Sequence, residues 1–267
     1  EPQAAFYDFF SVHKDTLFAD DASADRQIVV VDVGGGTTDL TLINAAVDTT
    51  GEPILTRVAV GDHILLGGDN MDMTLARVAE QRMKVPGGRL DAARFSQLVQ
   101  RCRIAKEVML ADENAPDTWK LVVPGRGSGL IRSSLTTELT REEVEELVTD
   151  GFFPVVSATS KPVRKPRTGL AQLRLPFESD TGITRHIAAF LARHGQNSQP
   201  IRPDAVLLNG GVFNSQMLRK RLMQVIHSWC GEIPLLGEER VELAVARGAA
   251  VFGLVRHGIG SRIGGGS

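Results

Sequence analysis

Asp32 and Asp39 bracket three glycines and two threonines in the stretch VVVDVGGGTTDLTL, Val29 to Leu42. Each of these residue types has a use at a phosphate. A glycine turn can bring several backbone N–H groups to one anion, and without Cβ atoms the phosphate can lie against the main chain. Thr37 and Thr38 carry hydroxyls for phosphate oxygens, and Asp39 has acceptors that would pin the N–H groups of the turn. Asp32 ends an apolar run, where a lone carboxylate is costly unless it is paired or faces a cation. Mg2+ carried in with a phosphate would satisfy it. A plain hairpin needs less backbone freedom than Gly34, Gly35 and Gly36 supply. The bland alternative is a tight hairpin in which the two aspartates only cap the turn.

The familiar phosphate loops do not fit. A dinucleotide fingerprint or a Walker loop opens a helix, whereas Asp39-Leu40-Thr41-Leu42 alternates as a strand. Two further glycine pairs support the reading. Gly67-Gly68 precedes a helical pattern, and Gly210-Gly211 follows a buried-looking strand and opens another helix. Each would let main chain approach a ligand at a helix N-terminus.

Three strands must position the turn: Gln27 to Val33, Leu40 to Val47 and Pro53 to Val60, joined as a meander. From Asp69 the apolar period becomes helical, with Met71, Leu75 and Val78 on one stripe. Phe95, Leu98, Cys102, Ala105 and Met109 form the stripe of a second helix. Trp119–Val123 and Leu130–Ser134 read as a hairpin. Thr140 with Glu143 is a capping box that opens a helix facing inward with Val144 and Leu147. The charges from Arg141 to Glu146 read as its solvated face. Lys161 to Arg167, KPVRKPR, holds four cations and two prolines and reads as an exposed loop.

Helices around Ile183–His194 and along Leu218, Leu222, Val225, Ile226 and Trp229 flank a buried strand, Ala205–Asn209. Trp229 and Phe213 read as core. A last helix, Val241 to Arg256, offers Ala246, Gly248, Ala249 and Ala250 for close approach. Strands that come first as a meander and later between helices imply a mixed α/β fold.

With 267 residues and 42% apolar content the chain can bury a sizeable core. Its net charge of −2 gives no electrostatic case for nucleic acid. No apolar run approaches the ~20 residues of a membrane span. The two cysteines, Cys102 and Cys230, lie far apart and form no disulfide framework, which predicts a reducing compartment, the cytoplasm. The six histidines form no metal-ligand spacing. The chain starts on a helix and its tail, GIGSRIGGGS, reads as loop, so we expect a fragment of a longer protein.

VVDVGGGTTDLTL resembles the second phosphate motif of the actin/hexokinase/heat-shock ATPase superfamily. EPQAA, LLGGDNMD, RCRIAKEVM, LLNGGVFNSQMLRKRL and AVARGAAV are similar, in order, to segments of DnaK-type heat-shock chaperones, the heat shock protein 70 family. The likeness fails mainly between Pro154 and Ile183. It implies the second lobe of an actin-like (ribonuclease H-like) ATPase domain: a mixed sheet flanked by helices, formed by residues 1–65 and 140–267, with a smaller α/β subdomain inserted at 66–139. Segment 154–183 would be atypical.

By motif position the resemblance makes Glu1 an acidic residue near the nucleophilic water, and Asp32 the carboxylate that holds Mg2+ through waters. Gly34, Gly35, Gly36 and Thr37 would hold the phosphates of ATP or ADP, with Thr38 beside them. Gly67 and Gly68 would lie on the ribose side, Lys106 would reach the ribose, and Gly210 and Gly211 would pass beneath ribose and adenine. Glu242 falls at an acidic position of the adenosine pocket. The chain departs from the family at the base. Glu107 stands where the family stacks an arginine on adenine, Arg103 where it has an acidic residue, Leu110 for a small hydroxyl residue, and Val212-Phe213-Asn214 after the last glycine pair.

The family's other phosphate loop and its catalytic lysine do not occur in the sequence. The resemblance therefore implies half of an ATP cleft, inactive alone, whose partners are the first lobe and, through the parent, a J-domain co-chaperone, a nucleotide exchange factor and an unfolded client. Three alternatives stay open: an actin-like filament ATPase, a small-molecule kinase of the same superfamily, and an interaction module that binds no nucleotide.

Overall fold

The computed structural model describes residues 2–17, 25–85, 87–125, 134–163, 178–195, 199–237 and 243–265. Its centre is a six-stranded sheet in the order β7-β6-β1-β2-β3-β8. The strands are β1 Arg26–Val33, β2 Thr38–Val47, β3 Pro53–Val60, β6 Ala205–Asn209, β7 Leu235–Leu236 and β8 Ile263–Gly265. β1, β2 and β3 pair antiparallel as the expected meander, while β6 lies parallel to β1, β7 to β6 and β8 to β3. The sheet is mixed, as the sequence implied.

Successive side chains of a strand point to opposite faces, and β1 is apolar at both. Val29, Val31 and Val33 enter one core cluster, whereas Ile28 and Val30 enter the other. A strand buried on both sides reads as a continuous apolar run. The second cluster is closed by α1 (Pro2–Leu17) and α7 (Ala244–Arg256), through Phe6, Tyr7, Phe10 and Val255. Of the small residues expected at the α7 contact, Gly248 is the one that is buried. A Cβ there would stand 1.7 Å from the Ala4 carbonyl oxygen, whereas Ala246, Ala249 and Ala250 face outward.

The first cluster carries the remaining helices: α2 (Gly68–Arg82), α3 (Ala92–Met109), α4 (Arg141–Phe152), α5 (Ile183–Arg193) and α6 (Gln216–Cys230). The α2 and α3 stripes are buried as expected, save that Val78 and Phe95 are half-buried. Leu218, Leu222, Val225, Ile226, Trp229 and Phe213 are core residues.

The Thr140 capping box opens α4, with Thr140 Oγ1 accepting from Glu143 N at 3.2 Å and Glu143 Oε2 accepting from Thr140 N at 3.0 Å. Arg82 also holds the Glu143 carboxylate, so the charged stretch is tied to α2 rather than merely solvated. The buried face of α4 is Val144, Val148 and Phe152, with Leu147 half-buried at its edge.

Three expectations change. The hairpin partner of β4 (Thr118–Val123) is β5, Leu135–Thr140, with Trp119 opposite Leu139 and Leu121 opposite Thr137. The expected strand 130–134 falls mainly outside the described residues. The tail is not all loop. Ile263 is buried on the edge of β3, and its N–H donates to Tyr7 Oη at 2.8 Å. Gly211 opens a short 3-10 turn, Gly211–Asn214, and α6 starts after it, capped by Ser215. Two expectations are not reached: α7 is described from Ala244, and residues 241–242 of the expected helix and Arg164 to Arg167 of the basic stretch lie outside the described residues.

Among the described residues no helix is long and apolar enough to cross a membrane.

Candidate nucleotide site

The turn from Gly34 to Thr37 closes on itself through Gly34 N–H to the Thr37 carbonyl at 2.9 Å. What fixes its position is the start of α2. Gly68 N donates to the Gly34 carbonyl at 3.0 Å and Asp69 N to the Gly35 carbonyl at 2.7 Å. Orphan N–H groups at a helix start need acceptors, and here the turn supplies them. Two more ties come from the chain before α2. Thr38 exchanges backbone hydrogen bonds with Ile64, and its hydroxyl donates to the Leu66 carbonyl at 2.8 Å. Thr38 is fully buried, so its hydroxyl anchors the turn from behind instead of facing a phosphate.

With the carbonyls of Gly34 and Gly35 turned to α2, the N–H groups of Gly35 and Gly36 make no hydrogen bond among the described residues. Both residues are exposed. Nothing in the packing demands glycine at 34, 35 or 36. None has a positive φ, and a Cβ would meet nothing closer than 3.7 Å at Gly34, 3.4 Å at Gly35 and nothing within 4 Å at Gly36.

The other pairs behave differently. A Cβ on Gly67 would stand 2.5 Å from the Gly35 carbonyl oxygen. One on Gly210, whose φ is +92°, would stand 2.2 Å from that of Val33 and 2.8 Å from Asp32 Oδ1. Gly67 and Gly210 are therefore required by the main chain of the turn itself. Gly68 is also tight, with a Cβ 3.3 Å from Lys106 Nζ, whereas Gly211 is open.

Asp39 does not pin N–H groups of the turn. Its carboxylate takes the Thr37 hydroxyl at 3.4 Å and lies 2.8 Å from His63 Nδ1. Asp32 is 5% exposed and accepts from Asn209 Nδ2 at 2.7 Å.

On the α2 side the turn opens into a cavity of about 480 Å³, bounded by Gly34, Gly35, Asp69, Lys106, Gly211 and Val212 among others. The size suits a small-molecule ligand. A larger cavity of about 880 Å³ lies beside Leu40, Ile64 and Phe190; Lys161 of the basic stretch lines it, but none of the residues assigned to the nucleotide does.

Lys106 is buried in the wall of the smaller cavity. Its Nζ donates to the Gly68 carbonyl at 3.0 Å and forms a close ion pair with Asp72 Oδ1 at 2.6 Å. Burial raises the Asp72 pKa, and the pull of Lys106 only partly opposes it. Burial, with Asp72 adding to it, also pushes the neighbouring Cys102 thiol up to about 12, so it stays protonated.

The far wall is made of side chains. Arg103 Nε donates to Glu107 Oε1 at 2.9 Å, and both are exposed at the rim. Leu110 is buried, and its carbonyl accepts from Ser215 Oγ.

Of the sequence-predicted residues, Gly34, Gly35, Gly68, Lys106 and Gly211 line one cavity and Gly67 and Gly210 pack against the main chain of the turn and of β1, whereas Asp32, Gly36 and Thr37 are not among the residues that line it. Glu1 and Glu242 lie outside the described residues. Sequence reasoning missed Asp72 and Asn209. For Asp72 the signal was a carboxylate next to Met71 on a buried stripe; for Asn209 it was an amide ending the apolar run Ala205–Leu208.

A family model described as Hsp70 protein matches residues 15–168, more than half of the chain, and the chain belongs to that family. Its fold is that of the family's actin-like ATPase region. It is similar to the chaperone protein HscA homolog of Acinetobacter baylyi, with 21% identity over 199 residues. That match covers 73% of this chain and 29% of the relative, so the chain spans under a third of the relative's length.

Proposed function

We propose that this chain is the second lobe of an Hsp70-type ATPase domain and forms half of an ATP-binding cleft. The observation that carries it is the turn Gly34–Gly36, glycine at positions where a Cβ meets nothing closer than 3.4 Å, with exposed Gly35 and Gly36 whose N–H groups make no hydrogen bond among the described residues. Backbone kept bare without a packing reason suits close approach by an anion. The β- and γ-phosphates lie against Gly34, Gly35, Gly36 and Thr37. The sugar faces Gly67, Gly68 and Lys106, and the base lies between α3 and Gly210-Gly211.

The residues present fit Mg2+ as well. Asp32 is a buried carboxylate beside the turn, and next to it the buried Asn209 Oδ1 has no hydrogen-bond partner among the described residues. Asp32 would hold the ion through waters, where it would neutralise charge on the phosphates. Glu1 would stand near the attacking water and Glu242 near the adenosine.

We assign residues 66–139 to an inserted subdomain and the rest, including 154–183, to the lobe's core; the separate β4-β5 sheet supports this division. Phosphoryl transfer needs charge stabilisation from both sides of the phosphate. Hydrolysis therefore belongs to the parent with its first lobe, in the cytoplasm, together with a J-domain co-chaperone, an exchange factor and unfolded clients.

Calorimetric titration with Mg-ADP tests the reading. High-micromolar binding is expected, about 5 kcal/mol, and it should vanish in Gly35→Val and Asp32→Ala. A Cβ at Gly35 meets nothing closer than 3.4 Å, so binding that survives in a folded Gly35→Val chain would remove the phosphate from this turn.

A further inference from the structure

Asn209 ends β6 opposite Asp32 of β1, and Asp32 stands opposite Asp39 of β2. Residues opposite one another in register share a face of the sheet. The three side chains therefore form a polar row on the face of Ile28 and Val30, at the sheet end next to the glycine turn. Asn209 is 3% exposed. Its Nδ2 donates to Asp32 Oδ2. An ionised carboxylate can only accept, so this contact decides which way the amide lies: nitrogen toward Asp32, oxygen away. That oxygen, Oδ1, is buried and has no hydrogen-bond partner among the described residues.

The fold alone gives no reason for an amide here. Ala205, Val206, Leu207 and Leu208 precede it on the same strand, all buried, and an apolar residue would end the run without leaving an acceptor unmet. The side chain instead orients a carboxylate with one atom and presents an acceptor with the other. Waters bound to a divalent cation are donors, and Mg2+ keeps several of them when a protein holds it. A cavity of about 130 Å³ on this face, lined by Asn209, Asp8, His13 and Arg247, leaves room for water beside the strand end.

We propose that Asn209 is a positioning residue of the divalent-cation site: Nδ2 holds the Asp32 carboxylate in place, and Oδ1 accepts from a water of the ion's shell. This rests on the phosphate reading of the turn given above. The ordinary alternative is a structural amide whose oxygen keeps a resident water. The two differ in what they do to metal dependence.

The test is the ratio of ADP affinities measured in Mg2+ and in EDTA, for the unaltered chain, Asn209→Leu and Asn209→Ser. Serine is the milder change should leucine unfold the chain. Uptake of Mn2+ in the presence of ADP, followed by its paramagnetic resonance signal, gives a second readout. We expect the variants to keep the EDTA affinity and lose about tenfold of the Mg2+ gain, the usual cost of removing a residue that orients a metal ligand, with a parallel loss of Mn2+ uptake.

Folded variants with an unchanged Mg2+ gain overturn the role of Asn209 and leave the phosphate reading intact. An equal loss in Mg2+ and EDTA also overturns it, since the amide is then only structural. An unaltered chain that binds ADP in neither condition overturns the reading of the turn on which this one stands.

Discussion

The two ends of the cavity are built from different materials. Around the glycine turn the wall is main chain: carbonyls of Gly34 and Gly35 held by the start of α2, with Gly67 and Gly210 packed so closely that no Cβ fits. At the far end it is side chain: the Arg103–Glu107 pair, Leu110 and Val212. A main-chain wall depends on sequence only through the absence of Cβ atoms, so it tolerates almost no drift. A side-chain wall can change chemistry one residue at a time while the helix under it stays put. This accounts for glycine at Gly67 and Gly210 and for the departures from the resemblance at Arg103, Glu107, Leu110 and Val212; Gly34, Gly35 and Gly36, where a Cβ has room, are left to the proposed ligand.

The largest effect that could break this contrast is at Gly210. Gly210→Ala meets the Val33 carbonyl at 2.2 Å on a backbone with φ +92°. Overpacking costs about 1–3 kcal/mol and backbone strain about 1–3 kcal/mol more. Gly67→Ala carries the first cost alone. Gly35→Ala, with open space, should stay within about 0.5 kcal/mol of the unaltered chain. Denaturant unfolding orders the three. If Gly210→Ala proves as stable as Gly35→Ala, the wall is not held by its main chain.

Lys106 tests the seam between the two materials, a side chain that binds main chain. Lys106→Met leaves Asp72 buried without its cation, which costs about 3–5 kcal/mol when the carboxylate is charged. The sign follows from burial. The folded-state pKa of Asp72 already lies above its ordinary value and rises further in the variant. A raised pKa means that the folded state binds the proton more tightly, so stability is fully present below the unfolded pKa and is lost as pH rises through the folded one. Lys106→Met should thus be closest to the unaltered chain in acid and fall behind toward neutral pH. Asp72→Asn added to it should flatten that slope. A pH-independent deficit would mean that lost packing, not the stranded charge, sets the cost.

The same contrast explains what could be read from the sequence. The turn and its three flanking strands were legible because glycine and alternating or continuous apolar residues are local signals. Gly67 and Gly210 were legible as pairs, although their reason, a carbonyl oxygen against the Cα, is visible only in three dimensions. Asn209 was read as the end of a buried strand, but its role was missed because its partner Asp32 lies 177 positions away. Asp72 was missed because its worth comes from Lys106 on another helix. The hairpin partner was set too early because 130–134 carries apolar residues, whereas the pairing with β4 is made by Leu135 to Thr140. β8 escaped because its short run shows no period, and it is placed by the edge of β3 and the Tyr7 hydroxyl.

The smallest expected effect lies at the rim, and it sharpens the contrast most. Arg103 and Glu107 are four residues apart on α3 and both more than half exposed, so their pairing contributes only about 0.3–0.5 kcal/mol to stability. Exchanging them, Arg103→Glu with Glu107→Arg, puts the acid N-terminal to the base, the better order on a helix, and should leave the melting temperature unchanged or slightly raised. It also returns a guanidinium to the position that, in the resemblance, stacks on adenine. A cation over an exposed ring contributes about 0.5–1 kcal/mol, so Mg-ADP should bind roughly two- to fivefold more tightly. Glu107→Ala alone should give little of this gain, since it removes the anion without supplying the stack. If the exchanged chain binds ADP more tightly but inosine diphosphate no better, the rim reads the adenine ring. If neither affinity moves, the base lies away from α3, and the drift at this end has no bearing on the nucleotide.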